Sequence, residues 1–304
     1  MSLTSYQTAP PRDIIYIFCI NIINTFNFLN YNTILLLLIV FFCNFILDYF
    51  MSLISVVIPY FKKKPYIYKT IKSVLEQSYK KIEIIIVYDD PEIDDLIYLR
   101  QIIKNNKKIK LYKNKKNFGA AKSRNLGIKL AKGDYISLLD SDDVWSKKKI
   151  ELQISFMKKN NLLFSYTAYK IIDDTGCIGV REVKKSLNYN DLLKSCDIGL
   201  STVIFHKSIK NFIVFPNLKT KEDYVVWLSL AKKNVEIKGL NKQLTSWRKV
   251  KNSLSDSIFQ KIIDGYRVYK IYEGYNLFYS LYRLLILSYN FIINNIKESF
   301  FKKF

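Results

Sequence analysis

The chain has 304 residues, of which 49% are hydrophobic and 15% aromatic, enough to bury a sizeable core and incompatible with a wholly disordered chain. Nine glycines and six prolines exclude collagen-like and low-complexity architectures. Lys and Arg number 48 against 26 Asp and Glu, a net charge of +22 that favours anionic partners such as nucleic acid, acidic lipid headgroups or phosphorylated metabolites, although coding bias in an AT-rich genome would produce the same excess of lysine.

From Ile14 to Leu47 no residue is charged, and Ile34–Leu47 (ILLLLIVFFCNFIL) is the densest apolar part. A spanning helix needs about 20 mostly apolar residues, so the stretch is long enough. Amides at Asn21, Asn24, Asn27, Asn30 and Asn32 make its earlier half the poorer span. No Ala occurs between Ala9 and Ala120, which removes the usual cleavage pattern of a signal peptide. Two readings of residues 1–50 stand side by side. One is a membrane anchor, with the lysine-rich remainder on the cytoplasmic face of the membrane by the positive-inside rule. The other is an artefactual upstream extension, because Met51 opens MSLISVVIPYF, a natural start for a folded domain. Cys19, Cys43, Cys177 and Cys196 lie far apart without a C-x-x-C pair, which argues against structural zinc and a disulfide framework and for a reducing compartment.

Beyond Met51 the pattern alternates. Leu53–Pro59 and Ile82–Tyr88 are short β-branched runs that predict buried strands. Between them, Ile67, Ile71, Val74 and Leu75 recur at helical spacing over Tyr66–Ser78. A second helix is predicted over Ile93–Asn105, a strand over Ile109–Tyr112, and a loop then a helix over Asn117–Ala131, with Gly133 placed as a C-cap. Tyr135–Leu139 is a further strand. This β-α-β-α-β-α-β order predicts an α/β fold with a mostly parallel central sheet flanked by helices. In such sheets ligands bind beyond the carboxyl ends of the strands.

Acidic residues collect at those ends. Ile82–Tyr88 runs into Asp89-Asp90, and Tyr135–Leu139 into Asp140-Ser141-Asp142-Asp143. Asp140 and Asp142, two apart, face one side if the backbone stays extended. Two such ligands plus a substrate diphosphate are a common way to hold Mg²⁺ or Mn²⁺, whereas the plainer reading is an acidic turn capping a helix near Ser146. Glu222-Asp223 precedes helical spacing at Val226, Trp227 and Leu230, so the pair either caps that helix or presents a carboxylate held ionised by the helix dipole. The only histidine, His206, reads as structural, and no Ser-His-Asp or Cys-His set is present.

In order, SVVIPYF, SVLEQSY, EIIIVYDD, NFGAAKSRNLGI, GDYISLLDSDDVW and KEDYVVWLSLA, over about Leu53 to Ser255, resemble a family 2 glycosyltransferase. The resemblance implies a GT-A fold, a nucleotide-sugar donor, a divalent metal (Mn²⁺ or Mg²⁺), inversion at the anomeric carbon and a glycan acceptor in surface polysaccharide synthesis. It places Pro59 and Tyr60 beside the nucleotide, and Asp89 or Asp90 at the base, with Tyr88 inserted where the family usually has an acid. It places Lys122, Arg124 and Asn125 along the donor pocket, Asp140 and Asp142 on the metal, Asp140 on the donor as well, Asp143 as an organiser of the loop, and Asp223 as catalytic base. Ser201 and Thr202 would border the acceptor or pack at a strand end. Arg248, before a polar run to Ser257, would neutralise diphosphate. The implied domains are residues 51–258 for transfer and 259–304 for a C-terminal helical segment. Its run Tyr279–Ile296 suits an interfacial helix against anionic lipid, where a lipid-linked acceptor would reside, or a helix packed back on the domain. A sugar-phosphate nucleotidyltransferase is the alternative enzyme, disfavoured because no glycine precedes Gly119 to build a phosphate loop. A non-enzymatic basic membrane- or nucleic-acid-binding protein is the alternative non-enzyme; the dispersed lysines match no compact reader, so no nucleic acid is expected.

Overall fold

The structure is a computed structural model that describes residues 51–250 and 257–300, and side chains to Asn294. The expectations for residues 1–50, and the polar run at 251–256, lie outside the described residues.

The first half follows the predicted alternation. It contains β1 (Ile54–Tyr60), α1 (Lys64–Leu75), β2 (Ile82–Tyr88), α2 (Asp94–Ile103), β3 (Ile109–Lys113), α3 (Ala120–Leu130) and β4 (Tyr135–Leu138). Every residue of β1 and β2 is buried, as continuous apolar runs require when helices cover both faces. Pro65 lies in the first turn of α1, where a missing N–H costs nothing. Then come β5 (Val144–Trp145), α4 (Lys149–Lys159), β6 (Phe164–Asp173), β7 (Gly176–Arg181), β8 (Ser186–Leu187), the short α5 (Tyr189–Leu192), a 3₁₀ turn at Leu200–Thr202, β9 (Ile204–His206) and a second 3₁₀ turn at Lys207–Phe212. The chain continues with α6 (Glu222–Lys232), β10 (Ile237–Arg248), α7 (Ile258–Arg267), a π turn at Val268–Tyr272 and α8 (Leu277–Phe300).

All strands join one sheet of order β3-β2-β1-β4-β9-β6-β10-β5, with β7 on β6 and β8 on β10. The pairs β3-β2, β2-β1 and β1-β4 are parallel. β9 runs antiparallel to both β4 and β6, and β10 returns parallel to β6. The sheet is therefore parallel on the side of the first four strands and mixed beyond them.

Gly133 is not the expected C-cap. Its backbone is not left-handed, and α3 ends at Leu130 with Ala131 already extended. A Cβ at Gly133 would lie 2.6 Å from the Ser55 nitrogen, so close approach to β1 requires the glycine. Gly127 is needed similarly: a Cβ there would meet Val57 Cγ1 at 2.3 Å.

The core continues from the sheet into the C-terminal helices, since Val268, Tyr269 and Leu287 belong to the same buried cluster as Phe164, Phe205 and Trp227. Trp227 is fully buried, with ring centroids 5.1 Å from Phe164 and 6.4 Å from Phe215, an arrangement worth about 0.5–1.5 kcal/mol per pair beyond area burial. Among the described residues no helix is long and apolar enough to cross a membrane.

Candidate active site

The carboxyl ends of β1, β2 and β4 lie side by side, in the register Tyr60↔Tyr88 and Val57↔Leu138. The residues that follow these strands therefore share one edge.

After β2, Asp89 and Asp90 turn inward. Both oxygens of Asp89 accept hydrogen bonds, from the Asn114 side chain and the Phe118 N–H at one oxygen and from the Gly119 N–H at the other. Asp90 accepts from the N–H groups of Lys62 and Glu92. Both carboxylates are buried and hold the loops 61–63 and 114–119 in shape. Tyr88 stacks on its cross-strand partner Tyr60, with centroids 5.2 Å apart, which gives the inserted tyrosine a packing role. Tyr60 also donates to Asp95 at 2.6 Å, and burial followed by that bond raises its pKa. Pro59 is buried within β1.

After β4, Asp140 and Asp142 meet different cations. Asp140 Oδ1 accepts from the Arg124 guanidinium at 2.8 Å. Asp142 Oδ2 pairs with Lys63 Nζ at 2.7 Å. Burial and then the Asp140 charge push the Asp142 carboxyl upward, against the pull of Lys63. Asp143 is fully buried; its Oδ1 accepts from the Arg248 N–H at 2.8 Å, and burial followed by Asp142 and Asp140 holds its pKa well above the carboxylate range. That bond ties the acidic loop to the end of β10. The alternative of a helix cap fails, because α4 begins only at Lys149 and has no side-chain cap.

Arg124 crosses the site. It projects from α3, is buried, and bonds Asp140 through one nitrogen and Glu222 through another at 2.5 Å. Burial opposes its charge, but Asp140 and Glu222 more than offset this and keep it protonated. Glu222 and Asp223 form the first turn of α6, and Lys221 before them, which makes no side-chain cap, adopts left-handed backbone with φ +64°. Such backbone at a non-glycine residue costs about 1–3 kcal/mol and clusters at functional sites. Asp223 accepts from the Tyr224 N–H at 2.8 Å. Burial raises its pKa, Lys221 and Arg124 lower it, and Asp140 raises it further. The net shift is upward, led by burial.

The remaining expected residues are less central. Lys122 is exposed, its ammonium 5.5 Å from the Phe118 ring centroid. Asn125 is bound through both amide atoms to the backbone of Phe215. Arg248 ends β10; its guanidinium donates to the Asp142 carbonyl and lies over Tyr66. Ser201 is buried and accepts the Asp140 N–H, while its carbonyl accepts from Trp145 Nε1, so Ser201 supports the acidic loop from within. His206 caps the following 3₁₀ turn by accepting the Ser208 N–H and sits against Tyr135. Sequence reasoning missed Lys63 and the part played by Glu222. The lysine run Lys62-Lys63-Lys64 straight after a buried strand was the available signal for the first.

Among the described residues no cluster of three or more His, Cys, Asp or Glu is arranged to hold a metal ion. Asp140 and Asp142 are carboxylates two residues apart on one loop, the oxygen-donor type a divalent cation takes, and each is held here by a different cation, Arg124 and Lys63.

The sequence model of glycosyl transferase family 2 matches residues 55–213, a range that ends before Asp223. A UDP-Glc:alpha-D-GlcNAc-diphosphoundecaprenol beta-1,3-glucosyltransferase of Escherichia coli, WfaP, is 40% identical over 220 residues, 72% of this chain and 86% of that protein. WfgD of Escherichia coli, with the same named activity, is 36% identical over 69% of this chain and 82% of its own. The crystal structure of S. aureus TarS 1–349 in complex with UDP-GlcNAc superposes with a TM-score of 0.60 at 21% identity, over 72% of this chain and 65% of that one, which shows the GT-A fold. The strand-end acids, the fold and the match over half of the sequence converge: this chain belongs to glycosyltransferase family 2.

Proposed function

We propose that the chain moves a hexose from a UDP-sugar to a sugar hydroxyl of a diphosphoundecaprenol-linked acceptor. Transfer is by inverting single displacement, in surface polysaccharide assembly at the cytoplasmic face of the membrane. The carrying observation is the Arg124 bridge, which ties the Asp140–Asp142 loop to the turn bearing Asp223. The named activities of WfaP and WfgD support the donor and acceptor class.

Asp140 and Asp142 would hold Mn²⁺ or Mg²⁺, whose charge stabilises a departing nucleoside diphosphate. Lys63 and Arg248 add positive charge beside the same loop. Asp223 removes the proton of the attacking hydroxyl. A carboxyl raised by burial is a stronger base than a solvated one, which suits a hydroxyl of high pKa. Glu222, spent on Arg124, positions the turn and is not the base. The Asp89 loop and the Tyr60–Tyr88 stack frame the base-binding edge.

The test is incubation of the full chain with UDP-glucose, a GlcNAc-diphospho-polyprenol and Mn²⁺, with the product read by mass spectrometry and NMR. A β-linked disaccharide lipid is expected, and Asp142→Ala and Asp223→Ala should each lower the rate at least ~10²-fold with an unchanged circular dichroism spectrum. Full activity in either variant removes that residue's role, an α-linked product removes inversion, and no transfer from any UDP-sugar removes the donor class.

A further inference from the structure

Helix α8 carries two unlike faces. One is bound to the body: Leu284 and Leu287 pack on the core, Asn290 donates to the Lys194 carbonyl at 2.9 Å, and Gly265 of α7 lies under Leu284 and Leu287. The other bears Phe278, Leu281, Tyr282, Leu285, Tyr289 and Ile292, all exposed, with Phe278 at 82%, Leu285 at 69% and Tyr289 at 64%. Their spacing puts them on one stripe, roughly 21 Å long at 1.5 Å per residue. Six large apolar side chains in a continuous row are not the scattered exposure of an ordinary surface.

The charges around the stripe say what covers it. No carboxylate occurs in the sequence between Glu273 and Glu298. The nearby acids are already engaged, Glu273 with Lys232 and Tyr189, and Asp197 with Ser195. Two cations lie against the helix: Arg283 over Tyr279, and Lys261 over Phe291. An apolar stripe with aromatic residues, a basic border and no acid is the pattern of a helix lying in a membrane interface. The bonds on its other face hold α8 to the body, so it can lie along a bilayer.

We infer that the exposed stripe of α8 docks the enzyme on a bilayer leaflet containing anionic phospholipid, which would bring the acidic site to a lipid-linked acceptor. The inference deepens the proposed function and rests on its lipid-linked acceptor for its purpose, though not for its test. The full chain is sedimented with vesicles of phosphatidylcholine plus phosphatidylglycerol, and of phosphatidylcholine alone, with neither donor nor acceptor present. Preference for the mixed vesicles, weakened by added salt, is expected. Leu281→Ser/Leu285→Ser should lower partition roughly tenfold while retaining UDP binding; Tyr289→Ser, at an exposed position, gives a smaller loss in the same direction and serves if the double variant fails to fold. Equal sedimentation of wild type and the folded variants overturns the proposal, as does a wild-type dimer in light scattering that the variants convert to monomer, because a second copy would then cover the stripe. A chain that transfers sugar yet sediments identically without the stripe loses this face and keeps its activity. One that partitions through the stripe and transfers nothing loses the activity and keeps the face.

Discussion

Arg124 holds the acidic loop against the turn bearing Glu222 and Asp223. Without it, Asp140, Glu222 and Asp223 would share a poorly solvated volume with no cation from α3. Removing one member of a buried ion network costs about 3–5 kcal/mol; since the Asp140 side chain keeps 30% exposure, ~2–4 kcal/mol is the appropriate range here. Arg124→Gln should therefore lower the thermal midpoint and, by loosening Asp223, reduce kcat by ~10² with a smaller change in donor KM. Arg124→Lys keeps the charge but loses the two-pronged geometry, and should fall between. Thermal denaturation with steady-state kinetics checks this; a variant with native stability and full kcat would remove the bridge from the account. Individual acids were legible because they follow buried strands. Their partners were not, because Lys63 and Arg124 reach Asp142 and Asp140 only after three elements assemble.

Among the elements, the parallel strands were readable because burial on both faces leaves a nearly continuous apolar run, as in β2 (IEIIIVY). The later strands carried weaker signals. β10 reads IKGLNKQLTSWR, polar in its middle, and its identity depends on pairing with β6 through two register shifts. The exception inside β2 is Glu83, a buried carboxylate that accepts from Ser55 Oγ, Lys110 Nζ and the Lys132 N–H. These bonds tie β1, β3 and the α3–β4 turn to β2. Burial opposes its ionisation, but the bonds from Lys110, Ser55 and Lys132 win, so its pKa lies below the ordinary glutamate value. A depressed carboxyl contributes stability above its unfolded pKa and loses it as pH falls through the folded one. Glu83→Gln should cost about 1–2 kcal/mol at neutral pH, and the gap from wild type should close as pH drops below the usual glutamate range. Urea denaturation at neutral and acidic pH measures this; a gap that widens in acid contradicts the sign.

Taken as a whole, the protein is a family 2 glycosyltransferase sheet whose parallel half carries the strand-end acids with Lys63 and Arg124, and whose mixed half adds Ser201, Glu222, Asp223 and Arg248. The C-terminal helices close the core on one face and leave apolar side chains exposed on the other. The sequence resemblance anticipated this arrangement up to α6; it said nothing of the strand order beyond β4, which depends on contacts distant in the chain. The proposed transfer rests on Asp140 and Asp142 carrying a divalent ion against a nucleoside diphosphate. The most direct test is calorimetric binding of UDP with and without Mn²⁺, to the wild-type chain and to Asp142→Asn. The account predicts at least ~tenfold tighter binding with Mn²⁺ for wild type and no metal dependence for the variant. A wild-type affinity indifferent to Mn²⁺, or an equal gain in Asp142→Asn, would contradict it.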